Sequence, residues 1–501
     1  MEIGFDKLTI NTILTKLYIL RGSNLRYFIF LFFIFTLVTG LTGCESSDME
    51  PYEEVKALEG FKPVGIPSGT DSSYDIKLKM DDEENFTVDA IIEIKNTSED
   101  AWEEIPFYFI PNMFTAQNSP SLDKPSEVEV NMVALNGKEV PYSLKKDKLT
   151  IPLKQKINPN DSINVRFTYN FTLPEEGLRF TKQGEDFHLA QWYPMVPTYR
   201  EGWNIESFRF KGETVHTPYS NFKIEYDVPA NYTVATTSDE DVFPIKNKNQ
   251  LKITQVKEVF IAILDDPYVA ERELNNIKIR VYGMQDKSQL NEDVADIAVE
   301  AFSYFQDRIG PYPYKQFDII LNGMGMEYPG IVTAWTVYNS GGPVRPDAVK
   351  KIAVHEIAHQ WFYGMINNDP FHDAWLDEGM AQLATSLFYS DYEGRDFTFK
   401  QSEKNYEELS LPVNLSLDQY PKEKQSSYIY GKSVVMLGGL FEDNGGKIKA
   451  ENFLRNYYKL YKYKEVNSEE FIRFLKEYLD MKDEAVLNDW IQLEKGSKTD
   501  H

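Results

Sequence analysis

The sequence predicts a multidomain α+β protein in which a β-rich N-terminal half precedes a mainly helical C-terminal half. Between residues 73 and 266, short β-type segments are separated by Asn, Asp, Gly and Pro. From residue 291 onward, apolar residues follow a helical spacing. The length of 501 residues exceeds what one hydrophobic core usually serves, and 42% hydrophobic with 26% charged residues is typical of a folded protein.

The first element is an apolar segment, residues 27–41, that follows Arg21 and Arg26. It ends in the sequence LTGC, which resembles a bacterial lipobox in which Cys44 is lipidated and becomes the new N-terminus. The alternative is an uncleaved membrane anchor, although the segment is short against the roughly 20 residues that a span needs. In both cases the folded part of the chain after Cys44 is expected to lie outside the cytoplasmic membrane. The long region before the apolar segment also allows a true start downstream of Met1.

Composition then divides the chain into five parts. We predict a lipoprotein signal peptide over 1–43 and an acidic tether over 44–70, because the latter has no apolar period. An antiparallel β-domain is predicted over 71–270. We predict a second domain over 271–445. The terminal helices over 446–501 are expected to complete this second domain.

Three segments carry the β prediction. Residues 74–80 alternate apolar and polar side chains, residues 86–94 follow a polar turn, and residues 252–264 continue the pattern. Such segments are typical of strands joined by short turns.

The pattern then changes to helices. Residues 291–310 place apolar side chains at helical spacing and end at Gly310 before a proline. Residues 317–323 indicate a buried strand. Near the C-terminus, Asn467 followed three residues later by Glu470 resembles a capping box.

Charge and cysteine content exclude some functions. The chain has 78 acidic against 53 basic residues and a net charge of −25, so nucleic acid is excluded as a partner. Cys44 is the single cysteine, so no intramolecular disulfide forms.

The chemistry is carried by the sequence HEIAH, which contains His355, Glu356 and His359. Residues four apart lie on one face of a helix, so both imidazoles can bind one ion. Zinc suits nitrogen ligands, and a catalytic site uses three protein ligands and one open position. Glu356 lies beside that face, where it can accept a proton from the attacking water.

The third ligand has two candidates in the sequence. A metzincin pattern is excluded, because Phe362 and Met365 stand where it needs glycine and histidine. His372 lies thirteen residues after His359, in a segment that is more typical of a surface loop. Glu378 lies nineteen residues after His359 in a helical, apolar context, where a carboxylate is costly unless it is paired.

HExxH with a glutamate nineteen residues on, within WLDEG, resembles the gluzincins of peptidase family M1, the aminopeptidase N family. The resemblance spans about residues 73–497. It implies one zinc ion per chain, bound by His355, His359 and Glu378, with Glu356 as the base. It also implies that residues 271–445 form a thermolysin-like catalytic domain.

A second motif supports the resemblance. The family carries a Gly-Ala-Met-Glu-Asn motif on the edge strand of its active site, and Gly325, Met326 and Glu327 match its later part. The resemblance implies that these residues bind substrate and that Glu327 pairs with its α-ammonium group. Met324 and Tyr328 depart from the motif, which puts the shape of the pocket in doubt.

Two further roles rest on the same resemblance. A tyrosine in SSYIYGKS is expected to stabilise the oxyanion, with Tyr430 favoured and Tyr428 as its rival. Gln191, in LAQWYPMV, is expected to join the ammonium site, although a purely structural glutamine is an equal alternative.

The sequence therefore predicts a zinc aminopeptidase that acts on peptides with a free N-terminus and is attached to the membrane by a lipid at Cys44. Two alternatives remain. The first is a zinc endopeptidase of the gluzincin type. The second is a non-catalytic, peptide-binding surface lipoprotein.

Overall fold

The structure is a computed structural model that describes residues 58, 60–240, 247–334 and 344–493. The predicted signal peptide, the lipidation site Cys44 and most of the tether lie outside the described residues. Within the described ranges, no helix has the length and apolarity that a membrane crossing requires.

The strands are numbered in chain order. They are β1 (Thr70–Met80), β2 (Phe86–Asn96), β3 (Trp102–Tyr108), β4 (Val128–Leu135), β5 (Lys138–Glu139), β6 (Ser143–Lys145), β7 (Lys148–Ile157), β8 (Ser162–Phe171), β9 (Phe180–Gln183), β10 (Asp186–Leu189), β11 (Thr198–Tyr199), β12 (Trp203–Asn204), β13 (Ser220–Asp227), β14 (Tyr232–Thr236), β15 (Lys248–Val256), β16 (Ile261–Asp265), β17 (Tyr268–Leu274), β18 (Ile277–Gly283), β19 (Gln316–Ile320), β20 (Ile331–Thr333), β21 (Ile366–Asn367) and β22 (Lys464–Glu465).

The α-helices of the described residues are α1 (Ser288–Arg308), α2 (Pro346–Ala358), α3 (Trp375–Tyr392), α4 (Lys400–Glu403), α5 (Ser433–Asp443), α6 (Gly446–Tyr461) and α7 (Ser468–Tyr478). A π-helical turn, Ser427–Lys432, leads directly into α5. The predicted capping box of α7 is present only in part. The Asn467 side chain accepts a hydrogen bond of 3.0 Å from the Glu470 backbone N–H, but the Glu470 carboxylate accepts from Tyr461 and Arg473.

The N-terminal half is built on a seven-stranded sheet with the order β15-β13-β1-β2-β8-β4-β5. Its neighbours pair antiparallel except β1 and β13, which are parallel. Alternate residues of β1 and β2 are buried, as the period-two pattern requires. A three-stranded sheet, β3-β7-β6, a four-stranded sheet, β14-β16-β10-β9, and the two-stranded pair β11-β12 complete this half.

The predicted β segment 252–264 is two strands. β15 pairs with β13 in the seven-stranded sheet, whereas β16 pairs with β10 and β14 in the four-stranded sheet. The intervening residues 257–260 cross between the sheets and are all buried, including the charged Lys257 and Glu258. Apolar alternation alone does not mark this crossing, because both strands face the interior.

The C-terminal half begins with the mixed sheet β17-β18-β19-β20. β17 spans residue 270, the predicted division between the domains, and pairs with β18. α1 packs on β17 and β18 and also against α2, which in turn packs against α3. An N-terminal β-rich part followed by a mainly helical part with a small sheet confirms the predicted α+β fold class.

Candidate metal centre and substrate cleft

Two packed helices bring the predicted metal ligands together. His355 lies on the last turn of α2, and His359 follows the end of that helix with helical backbone angles. Glu378 lies in the first turn of α3. Because α2 and α3 pack against each other, a carboxylate nineteen residues later in the sequence faces the two imidazoles.

The three ligand atoms form an equilateral triangle. The Nε2 atoms of His355 and His359 are 3.2 Å apart, and each lies 3.2 Å from Oε2 of Glu378. The Nδ1–H of His359 donates to the carbonyl oxygen of Phe362 at 2.9 Å. That bond leaves the Nε2 lone pair of His359 directed at the centre of the triangle.

This geometry fits zinc. Ligands at about 2.0–2.1 Å from a tetrahedral ion lie roughly 3.3 Å from one another, close to the triangle observed. Two imidazole lone pairs that face each other are stabilised by a cation between them. Burial favours the neutral form of Glu378, but its contacts with His355 and His359 outweigh this effect and hold its pKa well below the ordinary value.

His372, the other candidate ligand, lies elsewhere. Its Nδ1 is 3.0 Å from Oδ2 of Asp369, and its side chain is 45% exposed. Among the described residues, the one group of three or more side chains arranged to bind a metal is His355, His359 and Glu378.

Glu356 is buried beside the ligands, with 6% of its surface exposed. Burial raises its pKa well above the ordinary value, and the carboxylates of Glu327 and Glu378 add to this effect against the opposing influence of His359. A carboxylate with a raised pKa holds an abstracted proton more firmly, as a general base must.

The second motif lies at the edge of the four-stranded sheet that contains β20, where Met326 forms an isolated bridge with Thr333. Met326 exchanges two backbone hydrogen bonds with Thr333 of β20, at 3.0 and 2.9 Å. Gly325, Met326 and Glu327 all line the cleft. Tyr328, where the sequence departs from the family motif, is 2% exposed and stacks on Phe260 with ring centroids 4.2 Å apart, so its side chain lies in the core.

The structure distinguishes the two candidate tyrosines. Tyr430 lies on the π-helical turn, and its hydroxyl donates to Oε1 of Glu378 while 40% of the residue is exposed. Desolvation by the surrounding protein and the charge of Glu378 raise its pKa well above the ordinary value. Tyr428 is 3% exposed and stacks on Tyr420 at 4.9 Å, so it belongs to the core.

Gln191 lies behind the cleft. It is 1% exposed, has a positive φ of 55°, and its Nε2 is 3.4 Å from Oε2 of Glu213. Glu213 does line the cleft and pairs with Arg179, which lines it as well. Arg179 and Glu213 were not predicted from the sequence, because no local pattern marks two loop residues that the β-domain brings to this wall.

The cleft has a volume of about 870 Å³. The metal ligands, Glu356, Glu327 and Tyr430 lie along it, and on α3 its wall continues from Glu378 to Ser390. The N-terminal half contributes Arg179, Gly212 and Glu213 to the cleft wall.

A family model for the "Peptidase family M1 domain" matches residues 294–490, a range that contains the whole ligand set. Residues 294–490 belong to peptidase family M1. The M1 domain includes α1 to α7 apart from the first six residues of α1, and the triangle of His355, His359 and Glu378 lies within it.

Curated relatives of the M1 domain match over limited regions. Aminopeptidase 2 of Candida albicans is 24% identical over 200 residues, which cover 33% of this chain and 22% of that protein. Leukotriene A-4 hydrolase of Xenopus laevis is 23% identical over 226 residues, which cover 41% of this chain and 37% of that protein. The matched regions therefore span well under half of these relatives.

Solved structures match over much more of the chain. The M1 zinc metallopeptidase from Deinococcus radiodurans superposes with a TM-score of 0.60 at 17% identity, covering 86% of this chain and 95% of that one. A mutant of the M1 zinc metallopeptidase from the same organism, bound to a Tyr-ser-ala substrate, gives a TM-score of 0.59. At this identity the likeness shows the fold, which extends beyond the M1 domain into the β-rich half.

Proposed function

We propose that this protein is a zinc aminopeptidase that removes N-terminal residues from peptides. The observation that carries the proposal is Glu327. It lines the same cleft as the metal ligands, and its charge acts on His359 and Glu356, yet it is not part of the ligand triangle. A carboxylate beside the metal is suited to bind an α-ammonium group and so bring the first peptide bond to the reactive centre.

Zinc bound by His355, His359 and Glu378 would supply the Lewis acidity that polarises the substrate carbonyl and acidifies water. Glu356 accepts the proton of the attacking water and passes it to the leaving amine. Its burial excludes bulk water from the proton it holds.

Tyr430 completes the site. In the structure its hydroxyl donates to Glu378, and in the presence of substrate we expect it to donate instead to the oxygen on which negative charge develops. Its raised pKa keeps the hydroxyl protonated, and therefore a donor, throughout the physiological range.

The comparisons support this proposal at the level of the family. Relatives that match the M1 domain include proteins named as aminopeptidases, and the Deinococcus radiodurans fold relative binds a Tyr-ser-ala substrate. Both observations favour peptide hydrolysis.

The test uses the purified full chain loaded with zinc and a mixed peptide set, each peptide in a free and an N-acetylated form. Mass spectrometry reads the products. We expect stepwise loss of the first residue from the free peptides only, and we expect Glu327→Gln to weaken cleavage mainly through KM. Internal cleavage of both forms would instead identify an endopeptidase, and tight binding without turnover a peptide-binding protein.

We also propose that the enzyme works outside the cytoplasmic membrane, attached through a lipid on Cys44. The support is the sequence LTGC at the end of an apolar segment. Expression of the wild type and of Cys44→Ser in a bacterial host, followed by fractionation and lipid labelling, tests it. Label on the wild type alone is the expected result, and equal labelling of both would contradict it.

A further inference from the structure

Three cationic side chains line the cleft, and two of them are paired. Arg179 pairs with Glu213, and Arg395 pairs with Glu393. Lys351 also lines the cleft, but among the described residues no carboxylate lies within ion-pair distance of its ammonium group. A cation that has no carboxylate partner among the described residues, in a cleft rich in carboxylates, is available to a ligand.

Lys351 has a fixed place relative to the metal site. It precedes His355 by four residues on α2, so it lies on the same helix face about 6 Å closer to the start of the helix. Its Nζ lies 5.7 Å from the ring centroid of Tyr389, which also lines the cleft. The aromatic ring favours a position of the ammonium group within the cleft.

The cleft has a direction that follows from the positions of Glu327 and Gly325 along α2. Glu327, the proposed ammonium site, acts electrostatically on His359 and Tyr363, at and beyond the end of α2. Gly325 lies further back, since a Cβ atom built on it would be 3.1 Å from Cγ2 of Ile352. A substrate with its amino group at Glu327 therefore extends toward the start of α2, where Lys351 lies.

We propose that Lys351 binds the C-terminal carboxylate of short peptides, so that the preferred substrates are free-acid dipeptides and tripeptides. Successive residues of an extended peptide are about 3.5 Å apart, which puts the carboxylate of a tripeptide about 7 Å beyond the first carbonyl group. This matches the position of Lys351, one helical turn from the ligand His355. A charge-assisted hydrogen bond there distinguishes a free acid from an amide.

This inference rests on the proposed aminopeptidase function and adds its substrate class. Two sources can supply the carboxylate: the chain terminus of a short peptide, or an acidic side chain after the cleaved bond. We assign the chain terminus, because the ammonium and carboxylate sites then bind both ends of one short peptide.

The experiment compares three tripeptides with the same first residue on the zinc-loaded full chain: X-Ala-Ala, its C-terminal amide, and X-Asp-Ala amide. We expect kcat/KM for the free acid to exceed that for the plain amide by roughly tenfold. Lys351→Met should lower the free-acid value to that of the amide, and Lys351→Arg should restore much of the preference.

Lys350→Met is the matched control, since it removes the same charge from the same helix. Lys350 pairs with Asp347 at 2.9 Å and does not line the cleft, so the preference for the free acid should persist in this variant. Binding of the same peptides to Glu356→Gln, measured by calorimetry with and without Lys351→Met, gives a readout that needs no turnover.

Equal kcat/KM and equal affinity for acid and amide would overturn the inference while leaving the aminopeptidase function intact. A preference for X-Asp-Ala amide over both alanine peptides would overturn it too, because it would assign Lys351 to an acidic side chain. Absence of any cleavage, also of an aminoacyl p-nitroanilide, would overturn the proposed function, whereas the calorimetric comparison would still decide the role of Lys351.

Discussion

Gly325, at the edge of the sheet that contains β20, lies so close to Glu356 of α2 that a Cβ atom at Gly325 would be less than 3.0 Å from Oε1 of Glu356. No real Cβ atom approaches a heavy atom so closely. The glycine thus leaves the space that the proposed base occupies, and its role is steric, because its backbone is not in the left-handed region.

We expect Gly325→Ala to displace the Glu356 carboxylate and lower kcat by about 100-fold, the loss typical of a misplacement of about 1 Å. Zinc content should stay at the wild-type level, because none of the three ligands is touched. Peptide kinetics with metal analysis checks both, and Glu356→Gln sets the lower limit of activity. Wild-type activity in the alanine variant would contradict the steric role.

Removal of a metal ligand should instead lower the zinc affinity itself, in contrast to Gly325→Ala. We expect Glu378→Gln to weaken zinc affinity by more than about 100-fold, because the single carboxylate ligand of the triangle is lost. His372→Gln is the matched control, since His372 pairs with Asp369 away from the triangle. Competition with a chelator measures the two affinities, and equal zinc loss in both variants would argue against Glu378 as a ligand.

The two tyrosines of the 427–432 turn should separate catalysis from stability. We expect Tyr430→Phe to lower kcat by about 100-fold or more, near 3 kcal/mol, with little change in the unfolding midpoint. Tyr428→Phe should keep its stacking on Tyr420, and its activity should stay near that of the wild type. A comparison of kcat with thermal unfolding in the two variants tests this, and a reversed pattern would exchange the roles.

His188 should make stability depend on pH. Burial lowers its pKa from 6.5 to about 4, and it is 2% exposed. Because the unfolded chain then binds the proton more readily, stability is complete above about pH 6.5 and falls as pH decreases toward 4. We expect a loss of about 2 kcal/mol by about pH 5 from this group.

Urea unfolding of the wild type and of His188→Leu, at about pH 7.5 and about pH 5, isolates this contribution. The packing defect of the leucine variant is the same at both values, so the variant should lose about 2 kcal/mol less than the wild type on acidification. Equal losses in both proteins would contradict a neutral buried His188.

The candidate metal site was largely predictable from sequence, because its signals are local. His355 and His359 lie on and just after one helix, which their spacing predicted. The helical, apolar context of Glu378 made it a candidate beside His372, and the family resemblance decided between the two. The fold class followed from the change of apolar period near residue 291. The prediction that Glu327 binds the substrate ammonium group depended on the family resemblance, since a lone glutamate at the edge of a sheet does not indicate substrate binding.

The walls of the cleft were not predictable in this way. Arg179 and Glu213 reach it from loops of the β-rich half, and their pairing joins residues 34 apart in sequence. The position of Lys351 in the cleft was not predicted for another reason. A lysine on an amphipathic helix is ordinarily a solvated surface residue. Only the packing of α2 against α3 shows that it lies in the cleft.

Because Arg179 and Glu213 form part of the cleft wall, the two halves of the chain are not interchangeable modules. A chimera that joins the C-terminal half of this protein to the β-rich half of a relative would keep the candidate metal ligands but exchange part of the cleft wall. For the proposed aminopeptidase, changes in peptide selectivity can therefore arise from loops of the β-rich half, without any substitution near the candidate metal ligands.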